Sequence, residues 1–269
     1  MSKTMRSLLL VICAVQLLFA VAFFLQWSLA VSIWPFEGTT PLTYIFIASI
    51  FAAAAASTLW PIITGNYGAL AGVGLDYAVI LAPMSAYILW LGLAGGDSGK
   101  IIYGVICAGG ALFGLWLFRW SQRLPMPDES IPLPPLVRLS FIVFVVALLY
   151  TSTRLFLQIP TIPWPLTPEL SVIVGCIFLG AAAYFIYALL RPSWANAGGQ
   201  LSGFLMYDLV LIVPFLTRLP DVAPEFRTGL IVYTIVVVYS GLLAIYYLFV
   251  NRQTRLFAAA APTMGASEA

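Results

Sequence analysis

Eight stretches of mostly apolar residues follow one another along the chain, and each approaches or exceeds the roughly 20 helical residues that cross a bilayer. They lie at 7–30, 42–62, 69–94, 101–118, 138–158, 170–190, 201–217 and 228–250. Only 8% of the 269 residues are charged, against about 25% in a soluble domain. We therefore expect an all-α integral membrane protein with eight transmembrane helices and no separate soluble domain.

Two of these spans have an alternative interpretation. Span one follows Lys3 and Arg6, as the core of a signal peptide does, but its apolar run of about 23 residues exceeds the usual 7–15. We therefore assign it to the mature fold. Span seven, at 201–217, is the shortest. If it were re-entrant, the chain after it would have the opposite orientation.

The basic residues predict the orientation, because short loops rich in Lys and Arg stay in the cytoplasm. Eight of them lie on the side of the N-terminus: Lys3, Arg6, Arg119, Arg123, Arg138, Arg191, Arg252 and Arg255. Three lie on the other side: Lys100, Arg218 and Arg227. This difference predicts a cell-membrane protein (inner or plasma membrane) with both termini in the cytoplasm.

The tryptophans support the same span boundaries. All eight lie near span ends, where aromatic rings favour the headgroup region: Trp27, Trp34, Trp60, Trp90, Trp116, Trp120, Trp164 and Trp194. Two outer loops carry a similar pair of residues, Trp34 with Glu37 and Trp164 with Glu169. We expect these loops to form equivalent caps at the membrane interface.

The sequence repeats itself at an offset of about 131 residues. The matched pairs are Pro61 with Pro192, Gly68 with Gly199, Leu70 with Leu201, Gly72 with Gly203, Val79 with Val210, and Pro83 with Pro214. Most are Gly or Pro pairs, which backbone geometry selects. With one-residue slips, Phe24-Leu25-Gln26 also matches Phe156-Leu157-Gln158, and Trp34-Pro35 matches Trp164-Pro165.

This repetition predicts two four-helix repeats, at 1–125 and 136–255, joined by a Pro-rich cytoplasmic linker at 126–135 and followed by a flexible C-terminal tail at 256–269. Because four spans return the chain to the side where it began, the repeats have the same orientation. They are then related by a pseudo-two-fold axis along the membrane normal.

Glycines four residues apart recur in equivalent spans. Gly68 and Gly72 lie at the start of span three, and Gly199 and Gly203 lie at the start of span seven. This small-xxx-small pattern predicts close helix packing. A further hypothesis is that spans three and seven pack against each other.

Three ionisable residues lie well within spans: Asp76, Asp208 and Arg154. A charge at the membrane centre costs about 3 kcal/mol, so each needs an explanation. Asp76 and Asp208 have equivalent depths in spans three and seven, but their registers differ by one residue, or about 100° around a helix. We expect them to line one cavity between the halves and to bind a cation or exchange protons there. Tyr77 and Tyr207 are their expected hydrogen-bond partners.

The alternative is that each carboxyl group only ties neighbouring helices together. Pro83 and Pro214, about two turns further on, are expected to kink spans three and seven, since kinked helices often frame sites at mid-membrane. Arg154 lies near the end of span five, so we expect its side chain to reach the headgroups without pairing with either Asp.

Catalytic and cofactor motifs are missing from the sequence. The chain has no histidine, which excludes a Ser-His-Asp triad and His-ligated zinc or haem. No lysine lies within a span, which excludes a retinal Schiff base. Cys13, Cys107 and Cys176 lie in apolar stretches without CxxC spacing, as is typical of small buried residues. We therefore expect no enzyme, no metal, no cofactor and no nucleic-acid partner.

These features favour a transporter-like or permease-like protein that binds or moves a small solute or ion between its duplicated halves. The alternative is a non-catalytic membrane subunit or lipid-binding scaffold, and an intramembrane enzyme comes third. Membrane lipids are the expected partners, together with other membrane subunits or further copies of the chain.

Overall fold

The computed structural model describes residues 1–256, and within them eight long helices dominate. We label them α1 (Lys3–Phe24), α2 (Pro41–Thr64), α3 (Leu70–Gly95), α4 (Ser98–Ser121), α5 (Pro135–Phe156), α6 (Pro168–Leu190), α7 (Trp194–Arg218) and α8 (Pro224–Ile245). All eight are long and apolar enough to cross a membrane. The prediction of a multi-pass helical membrane protein is therefore confirmed. The part of the predicted tail beyond residue 256 lies outside the described residues.

The first predicted span, at 7–30, was placed too late in the chain. Helix α1 begins at Lys3 and ends at Phe24, and a separate short helix covers Ser28–Ile33. The break lies at Gln26, whose backbone is left-handed with φ 51°. The N–H groups of Gln26 and Trp27 bond back to the carbonyls of Phe23 and Ala22, which closes the helix end. Hydropathy alone does not register such an ending.

The end of α5 has the same construction. Gln158 is the other described residue besides glycine with a positive φ, at 55°. Its N–H bonds to Leu155, and the next N–H, from Ile159, bonds to Arg154. The two left-handed residues are thus the two glutamines that the sequence repeat aligns.

Span seven is longer than predicted. Helix α7 has 25 residues, enough to cross a bilayer, so the re-entrant alternative has no support. Its first two turns, from Trp194 to Gln200, contain small and polar residues that are buried against the protein. Hydropathy predicts contact with lipid, and it therefore missed a helical segment that packs against other helices.

Helices α2 and α6 are the two most buried of the eight. Helix α2 packs along α1 and α7, while α6 packs along α5 and α3. Helix α7 also contacts α8, and α3 contacts α4. The molecule thus contains two four-helix groups: α1, α2, α7 and α8, which we call bundle I, and α3, α4, α5 and α6, which we call bundle II. Each bundle takes helices from both predicted repeats.

The hypothesis that spans three and seven pack against each other is wrong. These spans are α3 and α7, which lie in different bundles and pack on α6 and α2 respectively. A glycine pattern shows that a helix has a close neighbour but does not identify that neighbour.

The four predicted glycines do serve close contacts. A Cβ atom on Gly72 would overlap the ring of Tyr184, and one on Gly199 would lie 2.7 Å from the hydroxyl of the same tyrosine. Gly203 faces Ser57 on α2, whereas Gly68 accommodates Met126 of the linker. The glycines therefore hold α6, α2 and the linker close to α3 and α7.

The linker at 126–135 is tied to the two loops that precede α3 and α7. The side-chain amide of Asn66 donates to the Asp128 carboxylate at 2.6 Å, and the backbone N–H of Asp128 donates back to Asn66 at 3.0 Å. The N–H of Leu133 donates to the carbonyl of Pro192 in the loop before α7 at 3.3 Å, and the N–H of Trp194 donates to the carbonyl of Ile131 at 2.8 Å. The linker thus joins both loops at one end of the molecule.

The close backbone contact between α3 and α4 gives a stability test. A Cβ atom on Gly74 would lie 2.5 Å from the Phe118 backbone nitrogen and 2.7 Å from the Gly114 carbonyl oxygen, and a backbone cannot rotate away. We expect Gly74→Ala to lower the thermal midpoint in detergent by roughly 2–10 °C. Gly109→Ala is the control, since its Cβ would meet nothing within 4 Å. Equal midpoints for the two variants would contradict this packing.

Candidate functional site

A cavity of about 720 Å³ lies between the helices. All eight helices contribute to its wall, as do the loops before α2 and α6. Its volume lies within the roughly 300–1,000 Å³ of small-molecule sites, and most of its lining is apolar. The cavity is therefore large enough for an organic ligand with a substantial apolar part.

The four predicted polar residues all line this cavity. Asp76 and Tyr77 reach it from α3 in bundle II, and Tyr207 and Asp208 reach it from α7 in bundle I. Helices from both predicted repeats thus place a carboxyl group around the same space. The sequence offset of one residue does not prevent this, because the two helices approach the cavity from different bundles.

Asp208 is buried without a hydrogen-bond partner. Its side chain is 4% exposed, and neither carboxylate oxygen bonds to any group in residues 1–256. The Ser240 hydroxyl lies beside the carboxylate and donates to the Val236 carbonyl at 2.8 Å. A Cβ atom on Gly241 of α8 would be in ordinary contact with the carboxylate, 3.5 Å from Oδ2. Buried polar groups are nearly always bonded, so this carboxylate needs an explanation.

Asp76 is less buried than Asp208 and lies close to α6. A Cβ atom on Gly180 would lie 3.0 Å from its Oδ1 and 3.0 Å from its backbone carbonyl oxygen. Gly180 on the neighbouring helix thus makes space beside Asp76 at the cavity wall.

The expected bonds between the tyrosines and the carboxylates are wrong. The Tyr77 hydroxyl accepts from the Gln16 side chain at 2.8 Å and lies 3.1 Å from the Thr58 hydroxyl. The Tyr207 hydroxyl pairs with that of Tyr233. Successive side chains on a helix point about 100° apart. Each tyrosine and the aspartate next to it in the sequence therefore face different neighbouring groups. Tyr77 thereby links α3 to α1 and α2 across the two bundles.

Two tryptophans expected in the headgroup region line the cavity instead. Trp164 is 3% exposed and Trp34 is half-buried, and neither indole N–H has a partner within the described part of the chain. Their loops are joined by the Thr39 hydroxyl, which donates to the Pro165 carbonyl at 2.5 Å. These loops therefore fold over the cavity, with both rings turned toward the protein, and their place at the membrane interface stays a prediction.

Trp60 and Trp194 also depart from the headgroup prediction. Each is 2% exposed, and their rings meet edge to face in the interior. Proximity to a span end does not separate a ring facing lipid from one packed between helices. Trp27, Trp90 and Trp116 are exposed, as interfacial tryptophans are.

Pro83 and Pro214 lie inside α3 and α7, and both helices continue past them. Neither proline lines the large cavity, although Pro214 borders a smaller pocket of about 260 Å³. The expected kinks stay a prediction.

Arg154 lies in the last turn of α5, where its guanidinium donates to Thr161 at 3.0 Å and to the Pro160 carbonyl at 3.2 Å. It thus fixes the loop that covers the cavity.

Sequence reasoning missed several polar residues of the site. Gln16 was detectable, because it is an isolated polar side chain in an otherwise apolar span. Gln200 lies before the predicted start of span seven, and Tyr233 resembles an ordinary aromatic residue of a span. All three line the cavity.

The cysteines are buried and free, as predicted, and none lines the cavity. Within residues 1–256 no three His, Cys, Asp or Glu side chains are close enough to hold a metal ion.

No known family model matches the sequence, and no curated protein or solved structure matches it either. The geometry of the cavity is therefore the basis for assigning a function.

The unpaired state of Asp208 gives a test that separates binding from helix tying. A buried polar group without a partner destabilises a fold by about 1–3 kcal/mol. We expect Asp208→Leu to raise the thermal midpoint in detergent by roughly 2–10 °C. Asp128→Leu is the matched control, because it removes a carboxylate that is bonded to Asn66, and it should lower the midpoint. A lower midpoint for Asp208→Leu as well would support the helix-tying alternative.

Proposed function

We propose that the protein is a transporter-like membrane protein that binds a small solute in the cavity between its two bundles and moves it across the membrane. Asp76 and Asp208 are the proposed polar contacts for that solute. The observation that carries the proposal is the buried Asp208 carboxylate, which faces the cavity with neither oxygen bonded. The proposal assigns no catalytic step to these residues.

The helix-tying alternative explains Asp208 less well. A carboxylate that holds helices together gains its stabilising effect from hydrogen bonds to them. Asp208 instead makes none with the described residues, although Ser240 and Tyr207 are close along the same wall. Residues that destabilise a fold often serve binding, and a ligand entering the cavity would supply the missing partner.

We further propose that the chain is a tandem repeat with a pseudo-two-fold axis along the membrane normal. In the two proposed repeats, α2 corresponds to α6 and α3 corresponds to α7. The contact of α2 with α7 therefore has an equivalent in the contact of α6 with α3, and both contacts are present. The same exchange relates Gln26 to Gln158, the two left-handed glutamines, and Trp34 to Trp164. Parallel repeats of this kind occur in transporters, and here helices of both proposed repeats line the cavity.

The arrangement suggests how access to the cavity could alternate. The cavity lies between bundles I and II, so a small rocking of one bundle against the other would open it at one end and close it at the other. The Trp34 and Trp164 loops cover one end, and the linker joins helices at an end of the molecule. We propose that the end with the linker faces the cytoplasm, as do both termini, on the distribution of Lys and Arg.

Cysteine accessibility tests the proposed movement. Ala181 lines the cavity, whereas the adjacent Ala182 is fully buried and does not. In a variant whose three native cysteines are replaced by alanine, we expect Ala181→Cys to react with a membrane-impermeant thiol reagent from either side of sealed vesicles. Ala182→Cys should stay unreactive. Labelling is measured by the mass of the modified protein.

The outcomes separate the candidate functions. Reaction at position 181 from both sides supports transport. Reaction from one side alone contradicts transport and indicates a receptor or a binding subunit. If position 181 is unreactive from both sides, the interior is closed, and a scaffold or subunit of a larger complex becomes the better assignment.

A further inference from the structure

We infer that the cavity binds an amphiphilic organic cation, meaning a molecule with one positive charge and a bulky apolar body. This inference rests on the proposed function and specifies the solute class of the same site. It combines the charges of the cavity wall, the aromatic rings beside Asp208 and the available volume.

The charged residues of the wall are all acidic. Asp76 and Asp208 line the cavity, and no Lys or Arg among the described residues does. The nearby Arg154 is held by Thr161, Pro160 and the ring of Tyr150. An ionised carboxylate in such an apolar setting needs a counter-charge. A wall with two carboxyl groups and no basic side chain therefore favours a cation over an anion.

A chain of aromatic rings leads along the wall to Asp208. The ring centroids of Trp164 and Phe46 are 5.7 Å apart, and those of Phe46 and Tyr207 are 6.1 Å apart. Tyr207 is the residue before Asp208. Tyr233 stacks on Trp164 at 6.4 Å. Aromatic faces attract organic cations and also pack against apolar groups. The rings thus suit a ligand whose charge is spread over an apolar body.

A bare metal ion suits the cavity less well. Divalent cations such as Ca²⁺ take roughly six to eight oxygen ligands at short distances, and no three acidic or thiol side chains converge in the described structure. Most of the wall is apolar, and the volume of about 720 Å³ is far larger than an ion needs. The indole N–H groups of Trp34 and Trp164 remain available for an acceptor on an organic ligand.

Tetraphenylphosphonium is a suitable probe, and triphenylphosphine oxide is a neutral aryl control that carries a hydrogen-bond acceptor in place of the fourth phenyl group and the charge. We expect the purified full-length protein to bind the phosphonium more tightly than the oxide, measured by equilibrium dialysis in detergent. Asp208→Asn should weaken phosphonium binding by at least about tenfold and change oxide binding little. Glu129→Gln is the control, because it removes an acidic charge from the exposed linker, outside the cavity.

The ratio of the two affinities within one variant distinguishes a lost charge from misfolding, because a misfolded protein binds neither probe. In Asp76→Asn with Asp208→Asn, the preference for the cation should disappear. Equal binding of both probes to the wild type would overturn the cation inference and leave the proposed cavity site intact. Binding of neither probe would also overturn it, and the reactivity of position 181 then shows whether the proposed function fails too.

Discussion

The close pairing of α2 with α7, and of α6 with α3, is the contact on which the rest of the structure depends. Helices in a bilayer have no hydrophobic drive to associate, so they associate through close packing, which small residues permit. Gly203 lets α7 approach Ser57 on α2, and Gly72 accommodates Tyr184 of α6 on α3. These contacts assemble each bundle from both halves of the chain. The cavity is the space left where the two bundles face each other.

That space contains the polar groups that the packing does not satisfy. Tyr77 is bonded to Gln16 and Thr58 and so joins the bundles, whereas Asp208 is buried without a partner. A fold selected only for stability would bond or replace such a carboxylate. The ligand binding that we propose would explain why such a carboxylate stands on a mostly apolar wall.

The sequence predicted the eight helices well, because helical hydropathy and length decide whether a segment can cross a bilayer. It also identified Asp76 and Asp208 as candidate cavity residues, since ionisable residues within spans are rare. It did not predict the partners of Tyr77 or the burial of Trp164, because these depend on which helices become neighbours. The glycine pattern had the same limit. It indicated close contacts at Gly72 and Gly199, but Gly72 meets Tyr184 of α6, and Gly199 meets that same tyrosine and Ser57 of α2, so neither meets the other's helix.

The most direct measurement is an experimental density map of the full-length protein in lipid nanodiscs, inspected beside Asp208. A solute-binding site between the bundles predicts an open cavity, with non-protein density within hydrogen-bonding distance of the carboxylate when the organic cation is added. A closed interior, with both Asp208 oxygens bonded to protein groups and no room for a ligand, would contradict it.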